Sequence, residues 1–227
     1  MDSLLRRWQQ GWGLCRGLAS ATDYASTTTV RASAAVALDV HLGLPERDRE
    51  LFALADDRDL VAELVTEVVG SSAPTWLTVT TQEPDAVAGW LEEAGLRLFA
   101  ERKLLMSRTL PDHPGQAPPP QYVLESSSDG PLERVRVLDR SGVEAARGMA
   151  AITGADTVMH DIHTDPDHRR RGLGSVVMSA LAHRATERGA TTGLLMATTE
   201  GAYLYANLGW LPEATMITAT TPLPVPA

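Results

Sequence analysis

One stretch of the sequence decides the fold: IHTDPDHRRRGLG, residues 162–174. Its first residues are typical of a strand, which must end at Pro166 because proline has no backbone N–H to donate. The residues after Gly172 follow the i, i+3, i+4, i+7, i+8 spacing of a helix that faces a core. The apolar positions of this pattern are Leu173, Val176, Val177, Ala180 and Leu181. The stretch therefore predicts a strand, a turn rich in arginine and glycine, and a helix.

The start of this predicted helix is suited to an anion. Its first N–H groups have no partner within the helix, and the helix dipole favours negative charge there. Gly172 and Gly174 carry no β-carbon, so a phosphate can approach the backbone closely. The neighbouring arginines add positive charge. The stretch alone thus predicts a pyrophosphate site; the alternative is a turn whose glycines only bend the chain and whose arginines are solvated.

Composition excludes several classes of protein. The 227 residues are 44% hydrophobic and 22% charged, as in globular proteins. The net charge of −9 argues against a nucleic-acid partner. The chain has neither an apolar run of the roughly 18 residues that a membrane helix needs nor the core of a secretory signal. The single Cys15 excludes an intramolecular disulfide, and the near absence of lysine (only Lys103) is typical of a GC-rich bacterial genome. We therefore expect a cytoplasmic bacterial protein without a membrane partner.

A proline-rich stretch divides the chain into two halves. Residues 111–120 contain five prolines and read as an extended linker between residues 1–110 and 121–227. The order strand, short helix, glycine recurs in both halves, at residues 76–95 and 194–209. A chance match is one explanation. Our preferred interpretation is a tandem of two related halves, of which the first is degenerate.

Periodicity and turn residues predict the elements of both halves. In the first half, helices are expected at 3–18, 58–69 and 84–94, and strands at 34–40, 76–80 and 96–105. In the second half, strands are expected at 122–124, 135–138, 143–152, 156–164, 192–197 and 214–220, with helices at 172–188 and 201–208. This order predicts an α+β fold with a mixed, mostly antiparallel sheet flanked by helices.

Two ordered motifs make the second half similar to a known family. The pattern Arg169-x-x-Gly172-x-Gly174 resembles the acetyl-CoA motif of the GCN5-related N-acetyltransferase (GNAT) superfamily. Residues 204–210, LYANLGW, resemble the family's "lYeklGF" signature, with Trp210 in place of phenylalanine. The resemblance covers about residues 121–220. It implies the GNAT fold, and it implies acetyl-CoA as the co-substrate.

The resemblance also implies which residues bind the coenzyme. In the family, backbone groups of the fourth strand hold the pantetheine arm, and they map to Ile162, His163 and Thr164. The following loop and helix start hold the pyrophosphate. These positions are Arg169, Arg170, Arg171, Gly172, Leu173, Gly174 and Ser175. The tyrosine before the Gly-aromatic step lies near the coenzyme sulfur in the family, and it maps to Tyr205.

The implied reaction is the direct attack of a primary amine on the thioester, with Tyr205 protonating the departing thiolate. Because an ammonium with a pKa near 10 is mostly protonated at neutral pH, a base is needed. Asp161, His163 and His160 are the candidates for this base. For each of them the alternative is a structural or solvent-exposed role. For Tyr205 the alternative is a residue that only packs in the core. Side chains alternate along a strand, which places His160 and His163 on opposite faces and argues against zinc. We therefore expect no metal.

The second half departs from the family at one place that bears on the acceptor. Only about ten residues separate Tyr122 from Val135, where the family has two helices that bind the acceptor. The first half, with its tryptophan-rich first helix, is then the candidate for an acceptor wall. We expect one coenzyme site per chain, a small-molecule or peptide amine as acceptor, and a monomer or homodimer. The rival interpretations are a non-catalytic acyl-CoA-binding or regulatory module and a nucleotide-binding protein, although the chain lacks a Walker lysine.

Overall fold

The computed structural model describes residues 2–26 and 35–222, which form five α-helices and twelve strands. The helices are α1 (Asp2–Cys15), α2 (Arg58–Gly70), α3 (Pro84–Glu93), α4 (Leu173–Glu187) and α5 (Thr199–Asn207). The strands are β1 (Thr22–Ala25), β2 (Ala35–Leu44), β3 (Arg47–Ala53), β4 (Thr75–Thr81), β5 (Arg97–Leu98), β6 (Lys103–Thr109), β7 (Tyr122–Asp129), β8 (Leu132–Asp139), β9 (Glu144–Thr153), β10 (Asp156–Thr164), β11 (Thr192–Ala197) and β12 (Leu211–Thr220). None of these described helices has the length and apolar composition needed to cross a membrane.

The chain forms two compact units whose boundaries differ from the expected halves. The first unit combines residues 1–6, 18–105 and 214–227, and the second combines residues 7–17 and 106–213. The proline-rich residues 111–120 therefore lie inside the second unit. They are held there because the Leu110 amide donates to the Thr191 carbonyl at 2.9 Å and the Gln116 amide donates to Ser179 Oγ at 2.8 Å.

The first unit contains a mostly antiparallel sheet in the order β1-β2-β3-β4-β12, with β5 paired to β12. Among the described strands of this unit, β3 and β4 form the parallel pair, and α2 connects them. The buried face of α2 comprises Leu60, Val61, Leu64, Val65 and Val68, the helical spacing that the sequence predicts. Ile217 and Ala219 of β12 belong to the same buried core, so the last described strand completes the first unit.

The second unit contains the strands in the order β6-β11-β10-β9-β8-β7. Here β10 and β11 are parallel and α4 connects them, whereas β7, β8, β9 and β10 are antiparallel neighbours. Gly148 on β9 lets α4 pack closely, because a β-carbon there would lie 2.6 Å from both Ile162 Cδ1 and Val177 Cγ1. The order strand, helix, parallel strand, helix thus occurs in each unit, as β3-α2-β4-α3 and as β10-α4-β11-α5.

The structure confirms the α+β class and most predicted elements, with β10 and β11 at the predicted residues. Strands β1 and β3 were not predicted, and the single strand expected at 96–105 is two strands, β5 and β6. Charged residues fill the first half of β3, Arg47–Glu50, so its alternation is hidden. The first residue of the strand expected at 34–40 lies outside the described residues.

Candidate functional site

A cavity of about 660 Å³ lies within the second unit. Its lining comes from α1, β10, the turn before α4, the first turn of α4, β11 and α5. These residues are Trp8, Trp12, Met159, His160, Asp161, Ile162, His163, Thr164, Arg169, Arg170, Gly172, Leu173, Gly174, Ser175, Met196, Thr198, Glu200, Gly201, Tyr203, Leu204, Tyr205 and Asn207. All predicted site residues except Arg171 are therefore brought together around one cavity.

The two parallel strands beside the cavity separate along their length. β10 pairs with β11 only over Asp156–Val158, although β10 continues to Thr164 and β11 to Ala197. From Met159 to Thr164, no described residue of β11 pairs with β10, and this part of β10 lines the cavity. A free strand edge of this kind offers backbone N–H and C=O groups to an extended ligand that contains amides.

The start of α4 presents a second set of backbone donors. Gly172 has φ +78°, a left-handed conformation that glycine adopts without strain, and no side chain caps the helix. Residues 172–175 line the cavity, so the first-turn N–H groups and the positive end of the helix dipole are available to an anion. Gly174 also has a packing role, because a β-carbon there would lie 2.9 Å from Leu204 Cδ2 of α5.

Two of the three arginines of the turn line the cavity. The Arg169 guanidinium lies 3.9 Å from the Glu200 carboxylate and is about half exposed. Arg170 has φ +62°, a conformation that side chains other than glycine rarely adopt. Backbone strain of this kind persists where the surrounding structure holds it, often at ligand sites.

Arg171 is the one predicted coenzyme residue outside the cavity lining. Its guanidinium donates hydrogen bonds of 2.9 Å to the Tyr122 hydroxyl and to the Asp167 carbonyl, and it does not line the cavity. The same Tyr122 hydroxyl forms a second hydrogen bond, of 2.9 Å, with Nδ1 of His168. Arg171 therefore fixes the shape of the turn before α4.

A β-bulge interrupts β10 beside the cavity. The register against β9 shifts between His160, which pairs with Met149, and His163, which pairs with Arg147. Met149 and Arg147 are two residues apart on β9, so their side chains point to the same face of the sheet. Their partners His160 and His163 therefore also point to one face. The prediction that they point to opposite faces is wrong, since the bulge at residues 161–162 adds one residue to the alternation. Among residues 2–26 and 35–222, no group of three or more His, Cys, Asp or Glu side chains could hold a metal ion.

The candidate bases have different surroundings. Both carboxylate oxygens of Asp161 accept from Arg147, at 2.7 Å from Nε and 3.3 Å from Nη2, so this carboxylate is engaged in an ion pair. His160 is half-buried. Burial lowers the pKa of its imidazole, and the nearby positive charge of Arg16 lowers this pKa further. His160 is therefore neutral at pH 7 and can accept a proton, whereas His163 is exposed at the cavity surface.

Tyr205 lies on α5 with its side chain 8% exposed and lining the cavity. Burial raises the pKa of its hydroxyl to about 12, so the hydroxyl is protonated at neutral pH and can donate. The helix beneath it starts at Thr198, whose side chain accepts from the Gly201 amide at 3.1 Å. Tyr203, two residues earlier on the same helix, is 74% exposed.

Some residues that line the cavity were not predicted, although two groups of them have a recognisable sequence signal. Asn207 lies inside the LYANLGW motif, two residues after Tyr205, but was given no role. Trp8 and Trp12 form the helical stripe of α1 and were considered only as a possible wall. Met196 lies at the end of β11 and has no sequence signal of its own.

The described part of the first unit lacks the equivalent site. There β3 pairs with β4 through its last residue, Ala53 opposite Val79, so the parallel strands do not separate. The side chain of Asp57 caps the start of α2 by accepting from the Leu60 amide at 3.0 Å. A carboxylate in this position satisfies the free donor and repels an anion. The free strand edge and the uncapped helix start therefore occur together in the second unit.

Comparisons with known proteins agree with this geometry. Residues 139–215 match the FR47-like protein family. A GCN5-related N-acetyltransferase from Kribbella flavida superimposes with a TM-score of 0.70 at 17% identity, over 96% of this chain and 95% of that one. One from Sphaerobacter thermophilus gives 0.63 at 12% identity, over 96% and 92%. A tandem GNAT protein from the clavulanic acid biosynthesis pathway gives 0.57 at 15% identity, over 85% and 81%.

Comparison with curated protein sequences gives no match. The structural likenesses are all at low sequence identity and establish the fold, whereas the family match covers the strands, turn and helix that form the cavity. The chain as a whole has the GNAT fold, and its residues 139–215 match the FR47-like protein family.

Proposed function

We propose that this protein transfers an acetyl group from acetyl-CoA to a primary amine. The observation that carries the proposal is the coincidence, in one cavity, of the free edge of β10 and the uncapped start of α4. A pantetheine arm contains two amide groups, which suit a strand edge, and the coenzyme's pyrophosphate suits a helix start.

In this proposal, each predicted coenzyme residue has a role that follows from its position. The backbone of Ile162, His163 and Thr164 binds the pantetheine arm. The N–H groups of residues 172–175, with the side chains of Arg169 and Arg170, bind the pyrophosphate. Arg171 is removed from the binding set, because it holds the turn through Tyr122.

The reaction then needs two proton transfers. The amine nitrogen forms a bond to the thioester carbonyl carbon, the carbon–sulfur bond breaks, and the thiolate takes the hydroxyl proton of Tyr205. Because this hydroxyl is buried and protonated, it is a suitable donor. The N–H groups of the β10 bulge supply a donor for the oxyanion that develops on the carbonyl oxygen.

The second proton leaves the attacking amine. Of the three candidates, His160 suits this role best, because it lines the cavity and burial keeps its imidazole neutral. Asp161 is engaged by Arg147, and we assign it to holding the bulge in shape. The acceptor class in this proposal is a small-molecule or peptide amine, and the setting is the cytoplasm of a bacterium, with the protein as a monomer or homodimer.

The direct test is an acetylation assay with the intact chain. Acetyl-CoA is incubated with a panel of primary amines, free thiol is followed continuously, and acetylated products are identified by mass spectrometry. The proposal predicts thiol release that depends on both the amine and the protein. Binding of acetyl-CoA without turnover across the panel would instead support the non-catalytic acyl-CoA-binding module.

A further inference from the structure

Part of the cavity lining is not accounted for by the proposed coenzyme residues. This part includes Trp8, Trp12 and His160. We infer that α1 forms the acceptor site of the second unit, and that the acceptor is a monoamine carried on an apolar, aromatic group. The inference rests on the proposed acetyl transfer and adds the class of substrate.

The segment between β7 and β8 does not supply the acceptor site. Its tip is fixed at the far end of α4, where Arg184 donates to Glu133 at 2.5 Å and Arg188 donates to the same carboxylate at 2.7 Å and to the Gly130 carbonyl at 2.8 Å. A helix of 15 residues spans about 22 Å at a rise of about 1.5 Å per residue, so this tip is far from the cavity at the start of α4. Another element must therefore line the acceptor site.

Helix α1 is fixed on β10 at three positions spaced four residues apart. Arg7 donates two hydrogen bonds to Asp156, of 2.8 Å from Nε and 2.5 Å from Nη2. At Gly11 a β-carbon would lie 2.7 Å from Val158 Cβ, so only glycine permits this approach. Cys15 Sγ lies 3.8 Å from the Val158 carbonyl oxygen. Residues 7–15 of α1 are therefore held directly against the strand that carries His160.

The residues that α1 brings to the cavity are rigid and apolar. The rings of Trp8 and Trp12 stack with centroids 5.5 Å apart and planes inclined by 25°. Their side chains are only 1% and 2% exposed, so packing fixes them and only a small edge of the pair borders the cavity. Such a surface favours a planar apolar group through burial and aromatic contact.

The charges around the cavity disfavour a polycation. The carboxylates among the described lining residues are Asp161, which is bound to an arginine, and Glu200, which lies 3.9 Å from Arg169. Beside α1 the nearby charge is positive, since Arg16 lies 5.3 Å from the ring of Trp12. A second ammonium group would meet this positive charge, whereas a neutral aryl group would not. The cavity therefore fits an arylalkyl monoamine better than a polyamine.

The experiment compares amines on the wild-type chain and on three variants. The probes are 2-phenylethylamine and tryptamine against spermidine and putrescine, with kcat/KM from thiol release and the acetyl-CoA Kd from calorimetry. The expected kcat/KM of the aryl amines is about tenfold or more above that of the polyamines. Trp12→Leu should lower the aryl-amine value about tenfold and leave the acetyl-CoA Kd within about twofold. Trp12→Phe should restore part of the loss.

Trp90→Leu is the matched control, because Trp90 is a half-buried tryptophan on α3 of the first unit. It should change neither quantity. Preference for polyamines, or equal losses in Trp12→Leu and Trp90→Leu, would overturn the inference while leaving acetyl transfer in place. Absence of acetyl-CoA binding by the wild-type chain would instead remove the proposed function and this inference with it. The wild-type panel decides the substrate class even if Trp12→Leu does not fold.

Discussion

Arg171 donates a 2.9 Å hydrogen bond to the hydroxyl of Tyr122, a residue 49 positions earlier in the chain at the start of β7. The same hydroxyl meets Nδ1 of His168, and the two rings form an edge-to-face contact with centroids 5.7 Å apart. The turn that carries Arg169 and Arg170 is therefore fixed from behind by a buried tyrosine. Arg171, which the family resemblance assigns to phosphate binding, thus holds the turn that carries Arg169 and Arg170.

This arrangement predicts that Tyr122→Phe weakens coenzyme binding although Tyr122 does not line the cavity. Loss of the phenolic oxygen removes the acceptor of Arg171 and the hydrogen-bond partner of His168, so the turn is less ordered before the ligand arrives. We expect the acetyl-CoA Kd to rise about three- to tenfold, in line with one or two lost hydrogen bonds. Calorimetry measures the effect, and Tyr203→Phe is the control because its side chain is exposed. An unchanged Kd in Tyr122→Phe would show that the turn keeps its shape without this contact.

Arg170→Gly distinguishes the effect of the guanidinium charge on coenzyme binding from the effect of backbone strain on stability. Glycine tolerates φ +62° without cost, so the Tm should stay constant or rise. The lost guanidinium should raise the acetyl-CoA Kd about tenfold or more, as expected for a charge-assisted contact with phosphate. Thermal unfolding and calorimetry on the same preparation give both values. A variant with a lower Tm and an unchanged Kd would contradict the placement of Arg170 beside the phosphates.

Tyr205→Phe tests the proton donor. The substitution keeps the buried ring and removes only the hydroxyl, so the acetyl-CoA Kd should remain within about twofold. The turnover number should fall by about 10²-fold or more, the usual contribution of a positioned acid. Tyr203→Phe again provides the control on the same helix. Turnover equal to wild type would remove Tyr205 from the mechanism and leave it as a residue that packs near Trp210, with ring centroids 6.3 Å apart.

His160→Gln tests the proton acceptor through the pH profile. Because burial lowers the pKa of His160 below its usual 6.5, the neutral and active form persists at neutral pH and is lost as pH falls through that lowered pKa. The wild-type kcat should therefore fall on the acid side, below about pH 6.5. The variant should be slower and should lose this acid limb, while the rise at alkaline pH from deprotonation of the amine substrate remains in both. An acid limb that persists in His160→Gln would assign it to another group.

The fold was predictable where short-range patterns coincide with tertiary contacts. The helix beginning at Leu173 follows from its apolar spacing, and β10 and β11 from their alternation and flanking turns. The boundaries of the two units were not predictable in this way. They depend on pairs far apart in sequence, such as the amide of Gln116 with Ser179 Oγ, which hold a proline-rich stretch that looks like a free linker.

In the candidate site, too, local sequence patterns predicted some features, whereas contacts between distant residues determine others. The motif of Arg169, Gly172 and Gly174 predicts where the proposed coenzyme residues lie, because the local strand, turn and helix bring them to the lining of one cavity. The bulge in β10 has no sequence signal and reverses the expected orientation of His163 relative to His160. The use of Arg171 depends on Tyr122 across the unit. The rule that side chains alternate between the two faces of a strand therefore does not hold across the β10 bulge, between His160 and His163.

The central claim is that one acetyl-CoA binds in the second unit, between the free edge of β10 and the uncapped start of α4. Isothermal titration of the intact chain with acetyl-CoA tests it most directly, with Gly172→Val as the matched variant. The side chain of valine at φ +78° would disturb the helix start. We predict one site per chain for the wild type and at least tenfold weaker binding for Gly172→Val, because the helix-start donors are lost. No binding by the wild type, two sites per chain, or equal affinity in both proteins would contradict the claim.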